Sequence, residues 1–525
     1  MEWIAAALNG VLLWLVSVRA LNFWQQNGYR FDGAKKLRRQ FLSQSLYGAA
    51  NAAACYFVYA VGCARGFAEC GWFYSAFCVL GAVWFYFSNK GKNARTPLKF
   101  TKRCVRFTVF YLATGAAVCL ALCAAGSAIV AGDVRLYFVF IPIAYVCAPL
   151  VFFAAAALVY PVEQAVARIY IQGCKKELDA KTDLIRIGVT GSYGKTGVKN
   201  ILAAMLAEKY RVYATPHSYN TPMGICIGVR DMPADAQVFI AEMGAKRRGE
   251  ISLLCDIVKP ACAVITGIAA QHLATFGTLQ NIIDTKAELS DYVSERGGKS
   301  FFNTDNDYCK LMFRDARGEK YRVGVGGQCY AKDVRTGEDG SSFTLVFSGG
   351  ECAACKTRLL GEHNVSNITL AAAVAFVYGV SPQKIAEAVG RLKPVPHRLE
   401  LVENNAGIVI IDDGYNSNEE GARAALRTLA CFRGRKVVAC QGLAEMGERE
   451  RVANFELGKE IAKAADVAVL IGPYADDMRE GVLSAGMDEQ NVYVRKNLSE
   501  AQELFSVVMR RGDVLLIEND LPDGY

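Results

Sequence analysis

The sequence predicts an α-helical transmembrane region followed by two α/β domains. Residues 1–160 are dominated by Ala, Val, Leu, Phe, Tyr and Cys, whereas the rest has the mixed composition of a soluble protein. A glycine-rich loop follows a short apolar stretch at 185–190 and precedes a helical pattern. From there, strand-like and helix-like stretches alternate to the end of the chain, which is typical of mostly parallel sheets.

Five apolar stretches are long enough, or nearly so, to cross about 30 Å of hydrocarbon. They lie at Trp3–Val18, Leu46–Cys63, Trp72–Phe87, Phe107–Val130 and Leu136–Tyr160. Basic residues concentrate in the connections between the first and second stretches and between the third and fourth. The positive-inside rule places both connections in the cytoplasm. The sequence therefore predicts a multi-pass protein of the cell membrane, with its N-terminus outside and its catalytic domains cytoplasmic.

The charge of the chain points to a membrane and to no nucleic-acid partner. Its net charge is +8, and much of the excess lies in the two basic connections. The apolar stretches carry no pattern of carboxylates, which ion and proton pathways need. They are therefore interpreted as an anchor or an assembly surface. The 18 cysteines are scattered and often apolar in context, and Cys352, Cys355 and Cys329 do not complete a zinc site.

Four segments divide the chain. Residues 1–160 form the membrane region with about five transmembrane helices, and residues 161–180 form a linker. Residues 181–393 form a central domain that contains the glycine-rich loop on its first strand-to-helix turn, with a β-rich insertion near 321–360. Residues 394–525 form a Rossmann-like domain, with strands near 408–411, 436–440, 467–471 and 514–518.

The glycine-rich loop spans Gly188–Thr196 and has the chemistry of a phosphate-binding loop. Glycines let the backbone wrap a triphosphate, and amides at the following helix N-terminus point at it. Lys195 supplies positive charge to the β- and γ-phosphates, and Thr196 supplies a hydroxyl for Mg²⁺. The predicted ATP contacts in the loop are Gly191, Ser192, Tyr193, Gly194, Lys195 and Thr196.

Further polar runs follow in a distinctive order. They are Glu242-Met-Gly-Ala245, His272-Leu-Ala-Thr-Phe-Gly277, Asn303–Asp307, Gly361–Asn367, Pro396–Glu400 and Ile411–Asn418. With the GxxGxxGKT form of the loop, these runs resemble the Mur ligase family, ATP-dependent amide-forming ligases of cell-wall precursor synthesis. The resemblance covers about Ile185 to Tyr525. Three of the runs look most like the branch that adds D-alanyl-D-alanine to a UDP-linked muramoyl tripeptide.

The resemblance implies ATP and Mg²⁺ as cofactors. Thr196 and Glu242 would bind the first Mg²⁺, and His272 and Lys286 the second. In this family the lysine is generally a carbamate, which suits Mg²⁺ because an ammonium cannot bind a cation whereas an oxygen anion can. The implied catalytic residues are Lys195, His272, Lys286 and Arg398.

The same resemblance implies contacts with the rest of the nucleotide. Asn303 would touch the adenine, Arg398 would reach the γ-phosphate from the hinge into the last domain, and Asp413 would meet the ribose. Glu400 and Asn364 are explained equally well by structural roles.

Three departures leave the substrates open, and one of them is Gly442-Leu-Ala-Glu-Met-Gly-Glu448 where this branch usually shows a Gly-Asp-Met-x-Glu-Leu-Gly run. Family members of this branch begin with a small domain that grips the uridine nucleotide, whereas this chain has apolar helices in that place. The last domain also replaces a Lys-Gly-Ser run with Glu518-Asn-Asp520. The expected partners are a UDP-linked or lipid-linked cell-wall precursor, an amino acid or D-Ala-D-Ala-like amine, and membrane lipid.

Three functions remain as alternatives. The first is a membrane-anchored Mur-type ligase that activates a carboxylate as an acyl phosphate for peptidoglycan-precursor synthesis. The second is the same chemistry on another envelope or poly-amino-acid substrate. The third is a P-loop ATPase that drives membrane transport, although the paired nucleotide-domain signatures of an export motor are missing from the sequence.

Overall fold

The computed structural model describes residues 2–26, 28–29, 31, 35–64, 79–87, 97–129, 143–271, 273–402, 407–415, 418–444 and 446–519. The chain divides into two compact units, a helical unit that ends at Arg168 and an α/β unit that spans Ile169–Leu521.

Long helices build the helical unit. They are α1 (Glu2–Gln26), α2 (Lys35–Ala64), α3 (Lys102–Ile129) and the first part of α4 (Ala148–Asp179), with shorter helical stretches at 79–87 and 143–146. Their core is aromatic: the ring of Phe152 lies 4.9 Å from that of Phe107 and 5.3 Å from that of Trp24. The guanidinium of Arg106 donates to both carboxylate oxygens of Glu163, at 2.5 and 2.9 Å.

Two of the described helices are long and apolar enough to cross a membrane, at Lys102–Leu122 and Ala148–Asp179. They overlap in part with the fourth and fifth predicted spans. Helices α1 and α2 cover the first and second, whereas residues 72–78 of the third and 136–142 of the fifth lie outside the described residues. Large apolar side chains face outward in this unit, among them Phe57, Trp84 and Leu150 at 71%, 66% and 68% exposure. An N-terminal helical region is therefore confirmed, and its crossing of a membrane stays a prediction.

Six parallel strands form the central sheet of the α/β unit, in the order β2-β3-β1-β4-β5-β6. They are β1 (Ile185–Thr190), β2 (Val212–Ala214), β3 (Val238–Glu242), β4 (Cys262–Ile265), β5 (Lys299–Asn303) and β6 (Glu319–Val323). Strands β3 and β4 are buried along their whole length, as expected for short apolar runs covered by helices on both faces. Since all six strands are parallel, their carboxyl ends share one edge.

Helices cover both faces of this sheet. They are α5 (Lys195–Leu206), α6 (Pro222–Arg230), α7 (Glu250–Val258), α8 (Leu273–Phe276), α9 (Leu279–Ser294), α10 (Asp307–Asp315), α11 (Glu362–Val377) and α12 (Pro382–Gly390). Local sequence determines where several of these helices begin. A hydrogen bond from a backbone N–H of the helix that follows is accepted by each of four side chains, those of Thr221, Thr278, Asn306 and Ser381. Pro222 and Pro382 occupy the first positions of their helices, where no N–H partner is needed.

A small antiparallel sheet forms the β-rich insertion. It contains β7 (Tyr330–Gly337), β8 (Gly340–Val346) and β9 (Cys352–Thr357) in sequential order. Alternate residues of β9 are buried, so one face packs inward and the other faces solvent. Phe343, Leu345 and Cys355 join the hydrophobic core that includes α5 and α11.

The last domain has its own six-stranded sheet, in the order β10-β11-β15-β12-β13-β14. The strands are β10 (Glu400–Val402), β11 (Val409–Asp413), β12 (Lys436–Cys440), β13 (Val467–Ile471), β14 (Val492–Arg495) and β15 (Val514–Glu518). Only the edge strand β10 is antiparallel. The helices are α13 (Glu419–Ala430), α14 (Glu450–Ala464), α15 (Ala475–Ser484) and α16 (Leu498–Val508). Two α/β domains are thus confirmed.

The predicted linker at 161–180 is helical as far as Asp179, as the second part of α4. Cys174 and Leu178 of this part are buried in the core beneath β3 and β4. The guanidinium of Arg186 on β1 donates to the carbonyl oxygens of Leu178 and Lys181, at 2.5 and 3.1 Å. The end of α4 therefore belongs structurally to the α/β unit.

Phe301→Ala tests the packing of the central sheet. Phe301 is fully buried on β5, and its ring stacks on that of Tyr321 with centroids 4.5 Å apart. Removal of this side chain leaves a cavity, so we expect the free energy of unfolding to fall by about 3–5 kcal/mol in urea denaturation. Leu311→Ala, at a side chain 48% exposed, is the control. A loss no larger than that of the control would show that Phe301 does not hold the sheet.

Candidate active site at the carboxyl edge of the central sheet

The phosphate loop lies between the end of β1 and the start of α5. Gly191 and Gly194 have φ angles of +154° and +79°. A Cβ atom on Gly191 would lie 2.1 Å from Thr266 Oγ1, and one on Gly194 would lie 2.9 Å from Asn367 Oδ1. The amide of Ser192 donates to the carbonyl of Gly267 at 2.6 Å. Only glycine fits the two positions, so the loop is held tightly against the end of β4.

Lys195 lies at the start of α5 and curls back over this loop. Its ammonium donates to the carbonyl oxygens of Gly191 and Ser192 at 2.8 and 2.9 Å. Burial lowers the pKa of Lys195 to about 8; Glu242 opposes this shift and the charge of Arg398 adds to it. The lysine therefore lies within electrostatic range of both groups, and its contact with phosphate stays a prediction.

Glu242, at the end of β3, brings the predicted first metal ligands together. Its Oε2 accepts a hydrogen bond from Thr196 Oγ1 at 3.0 Å, and its Oε1 accepts one from Asn220 Nδ2 at 3.0 Å. The parallel register places Val189, near the end of β1, beside Glu242 at the end of β3. The loop that follows β1 therefore begins close to Glu242 and can bring Thr196 to it. A hydroxyl and a carboxylate together are oxygen ligands suited to Mg²⁺.

Lys286 lies on α9 and is 3% exposed. Burial and then the charge of Lys195 lower its pKa to about 7, and Glu250 and Glu288 oppose the shift. Lys286 is thus within electrostatic range of the phosphate loop, as its predicted role requires. Glu288 instead has a structural task, since its carboxylate accepts the amides of Gly249 and Ser252 at the start of α7. His272, the other predicted ligand of the second metal, lies outside the described residues.

Asn303, at the end of β5, uses its amide inside the protein. Its Nδ2 donates to the carbonyl of Thr266 at 2.9 Å and to Ser366 Oγ at 3.0 Å. It thereby joins the ends of β5 and β4 to α11. The neighbouring Asn306 donates to the hydroxyl of Tyr193 in the loop at 3.1 Å. The adenine contact of Asn303 stays a prediction.

The last domain contributes Arg398 and Asp413. The guanidinium of Arg398 lies 4.6 Å from the ring centroid of Tyr415. Asp413 Oδ1 accepts the amide of Leu399 at 3.1 Å, and burial raises the pKa of Asp413 to about 6. His397 and Leu399 have φ angles of +59° and +46°, so the hinge backbone turns through left-handed conformations on both sides of Arg398.

Glu400 and Asn364 have structural contacts. Glu400 accepts the amide of His397 at 3.0 Å, and Asn364 Nδ2 donates to the carbonyl of Leu360 at 2.9 Å.

Three residues at this edge had no assigned role in the sequence. Asn367 lies against Gly194 and Gly197 of the loop, Asn220 binds Glu242, and Lys199 Nζ lies 3.3 Å from Glu242 Oε2. A signal existed for Lys199: it follows Lys195 by about one helical turn and therefore shares its face of α5. Asn220 gave no such signal, because it lies in an irregular loop.

Comparisons with known proteins match both α/β domains to one family. The family model "Mur ligase middle domain" matches residues 189–375, and "Mur ligase, glutamate ligase domain" matches residues 397–518. The UDP-N-acetylmuramoyl-tripeptide–D-alanyl-D-alanine ligase of Bacillus subtilis is 28% identical over 68% of this chain and 75% of its own length. The enzyme of that name from Mycobacterium tuberculosis is 30% identical over 63% of this chain and 69% of its own length.

Solved structures give the same result. MurF from Acinetobacter baumannii is 25% identical with a TM-score of 0.62, over 67% of this chain and 77% of that chain. MurF ligase from Thermotoga maritima, in complex with ADP, shares the fold with a TM-score of 0.59 at 24% identity, over 67% of this chain and 80% of that one. The chain belongs to the Mur ligase family, as a MurF-like, ATP-dependent and ADP-forming ligase.

Proposed function

We propose that this ligase joins the carboxylate of a cell-wall peptide precursor to an amine, at the membrane and at the expense of ATP. The observation that carries the proposal is the convergence of Lys195, the Thr196–Glu242 pair and Lys286 at one edge of the central sheet, with Arg398 within electrostatic range. A P-loop transport ATPase would also use a loop lysine, a hydroxyl and an acidic residue for Mg²⁺–ATP, so family membership is what favours the ligase.

Mg²⁺ is part of the proposal because the residues fit it. Thr196 and Glu242 would hold the first ion, and Lys286, as a carbamate, would hold the second with His272. When bound, the ions would neutralise charge on the phosphates. Burial lowers the pKa of Lys286 and so favours the neutral amine, which is the form that reacts with CO₂.

The chemistry follows from these positions. An oxygen of the acceptor carboxylate attacks the γ-phosphorus of ATP, the bond to the bridging oxygen breaks and ADP leaves. Lys195 and Arg398 would stabilise the charge that develops on the γ-phosphoryl oxygens. The amine nitrogen then attacks the acyl carbon, the bond to the phosphate oxygen breaks, and the nitrogen loses a proton as the amide forms.

The nucleotide would lie between the two domains of the α/β unit. Gly191 to Thr196 would wrap the triphosphate, Asn303 would lie on the adenine side and Asp413 would meet the ribose. Closure of the last domain over the central one would exclude water, which would otherwise hydrolyse the acyl phosphate.

The substrates are proposed from the relatives' names. These name a UDP-linked muramoyl tripeptide and D-alanyl-D-alanine, so a UDP-linked precursor and a dipeptide amine are the first choice. A lipid-linked precursor is the alternative, because apolar helices occupy the place of the uridine-gripping domain. The proposed location is the cell membrane, crossed several times, with the N-terminus outside and the catalytic domains in the cytoplasm.

Lys195→Ala tests the phosphate loop. The substitution removes a charge near the transferred phosphoryl group, so kcat should fall by about 10²–10³-fold. Amine-dependent ADP release is the measurement, and thermal unfolding checks the fold. Lys356→Ala, at an exposed position on β9, is the control. Near-normal turnover of the Lys195 variant would contradict the proposal.

The carbamate on Lys286 is testable by pH. Because the folded pKa is about 7, the neutral amine becomes more abundant as the pH rises from 6 to 8, and carbamate formation should increase with it. The measurement is the ¹³C NMR carbamate signal of protein kept in ¹³C-bicarbonate. Lys286→Ala should lack this signal and be nearly inactive, with partial recovery in acetate. If the signal persists in that variant, it comes from another lysine.

The acceptor can be identified by direct comparison of two candidate precursors. Full-length protein in nanodiscs would receive ATP, D-alanyl-D-alanine and either a UDP-muramoyl tripeptide or its lipid-linked counterpart. If the helices serve only as an anchor, the UDP form should be used at least as well. Faster turnover of the lipid-linked form would instead assign the helical unit to substrate presentation.

A further inference from the structure

Lys199 is a buried cation that the proposed mechanism does not use. It lies on α5, and its side chain and that of Glu242 are each 1% exposed. Its ammonium has three N–H donors. It lies 3.3 Å from Glu242 Oε2, donates to the carbonyl of Thr215 at 2.8 Å, and donates to the carbonyl of His217. Three oxygens thus surround the ammonium.

These oxygens come from two different parts of the site. One belongs to Glu242, the proposed metal ligand on β3. The other two belong to the loop Thr215–Asn220, which follows β2. His217 in this loop has a left-handed φ of +48°, an uncommon conformation for a residue other than glycine. Lys199 therefore fixes the carbonyl of the loop's most constrained residue.

The same loop contacts the last domain. The hydroxyl of Tyr415 donates a hydrogen bond, at 3.2 Å, to the Oγ of Ser218, which is the residue that follows His217. The ring of Tyr415 carries the guanidinium of Arg398 on its face, at 4.6 Å. A continuous path of contacts thus leads from the phosphate-loop helix through Lys199 and the loop to Arg398.

Stability alone is a weak explanation for the buried Lys199–Glu242 ion pair. Removal of two charges from water costs several kcal/mol per ion, and well-packed apolar residues often serve as well. A methionine could fill the volume of Lys199, yet it could hold neither Glu242 nor the two carbonyls. A lysine at this position is better explained by its contacts, because they hold Glu242 and the two carbonyls in place.

We propose that Lys199 is a positioning residue that orients Glu242 for the metal–nucleotide complex and holds the Thr215–Asn220 loop in the shape that receives Tyr415. The inference rests on the proposed function and adds to it a link between the nucleotide site and docking of the last domain. The link runs through Lys199 because it alone among the described residues bonds to both Glu242 and the His217 carbonyl.

Mg²⁺-dependent nucleotide binding gives the first test. Full-length Lys199→Met would be titrated with Mg²⁺ in the presence of a fluorescent ADP analogue. Lost orientation of Glu242 should raise the half-saturating Mg²⁺ concentration about 10–100-fold. A residue that acted only through its charge would give the opposite sign, because removal of a nearby cation strengthens Mg²⁺ binding. Unchanged or tighter Mg²⁺ binding would therefore overturn the proposal.

Lys209→Met is the matched control. Lys209 is an exposed lysine just after the same helix, and it also donates to two backbone carbonyls, those of Tyr378 and Gly379. It should bind Mg²⁺–ADP like wild type. If Lys199→Met does not unfold cooperatively, Lys199→Gln replaces it, since the glutamine removes the charge and keeps a donor.

A double-mutant cycle gives the second test. Lys199→Met and Tyr415→Phe would be compared singly and together by kcat/KM for ligation. If Lys199 acts through the loop, the combined loss should be clearly smaller than the product of the single losses. Losses that simply multiply would remove the link to the last domain.

Failure of the proposed function and failure of the role of Lys199 give different results. If wild-type protein neither binds Mg²⁺–ADP nor forms the amide, the proposed function has failed. If wild type does both and Lys199→Met matches it, only the inference about Lys199 has failed.

Discussion

The site depends on one buried negative charge, the carboxylate of Glu242. An ion that is 1% exposed is costly unless hydrogen bonds and an opposite charge surround it. Thr196, Lys199 and Asn220 meet this need, and each comes from a different part of the chain: the start of α5, its next turn and the loop after β2. Because the carboxylate holds these parts together, the phosphate loop, the proposed metal ligands and the Thr215–Asn220 loop form one structure.

The last domain meets this structure at its hinge and at Tyr415. Its hinge turns through left-handed residues on both sides of Arg398, and β11 holds the hinge in place where Asp413 accepts the amide of Leu399. Tyr415 then bonds to Ser218 of the central domain. A hinge of this kind is compatible with a domain that opens to exchange nucleotide and closes for chemistry.

The helical unit has a different physical character. Its interior is built around aromatic rings, and the Arg106–Glu163 ion pair is half-buried, whereas large apolar side chains such as Trp84 and Leu150 face outward. Outward apolar surface on this scale needs a covering partner, because monomers in water rarely expose large apolar patches. Lipid is the proposed partner, in agreement with the two helices that are long enough to cross a membrane.

The sequence alone determined the two α/β domains, the phosphate loop and its lysine, because apolar runs, glycines and helix caps act over a few neighbouring residues. The order of the polar motifs along the sequence also identified Glu242, Lys286, Arg398 and Asp413 as candidate site residues. Only the tertiary structure decided which of these groups meet. The parallel register set Val189 of β1 beside Glu242, the turn into α5 brought Thr196 to that carboxylate, and the path of the loop after β2 brought Asn220 to it. The burial of Lys199 could not be read from its neighbours either, since an isolated lysine on a helix is ordinarily solvated and only packing against β3 and the loop removes it from water.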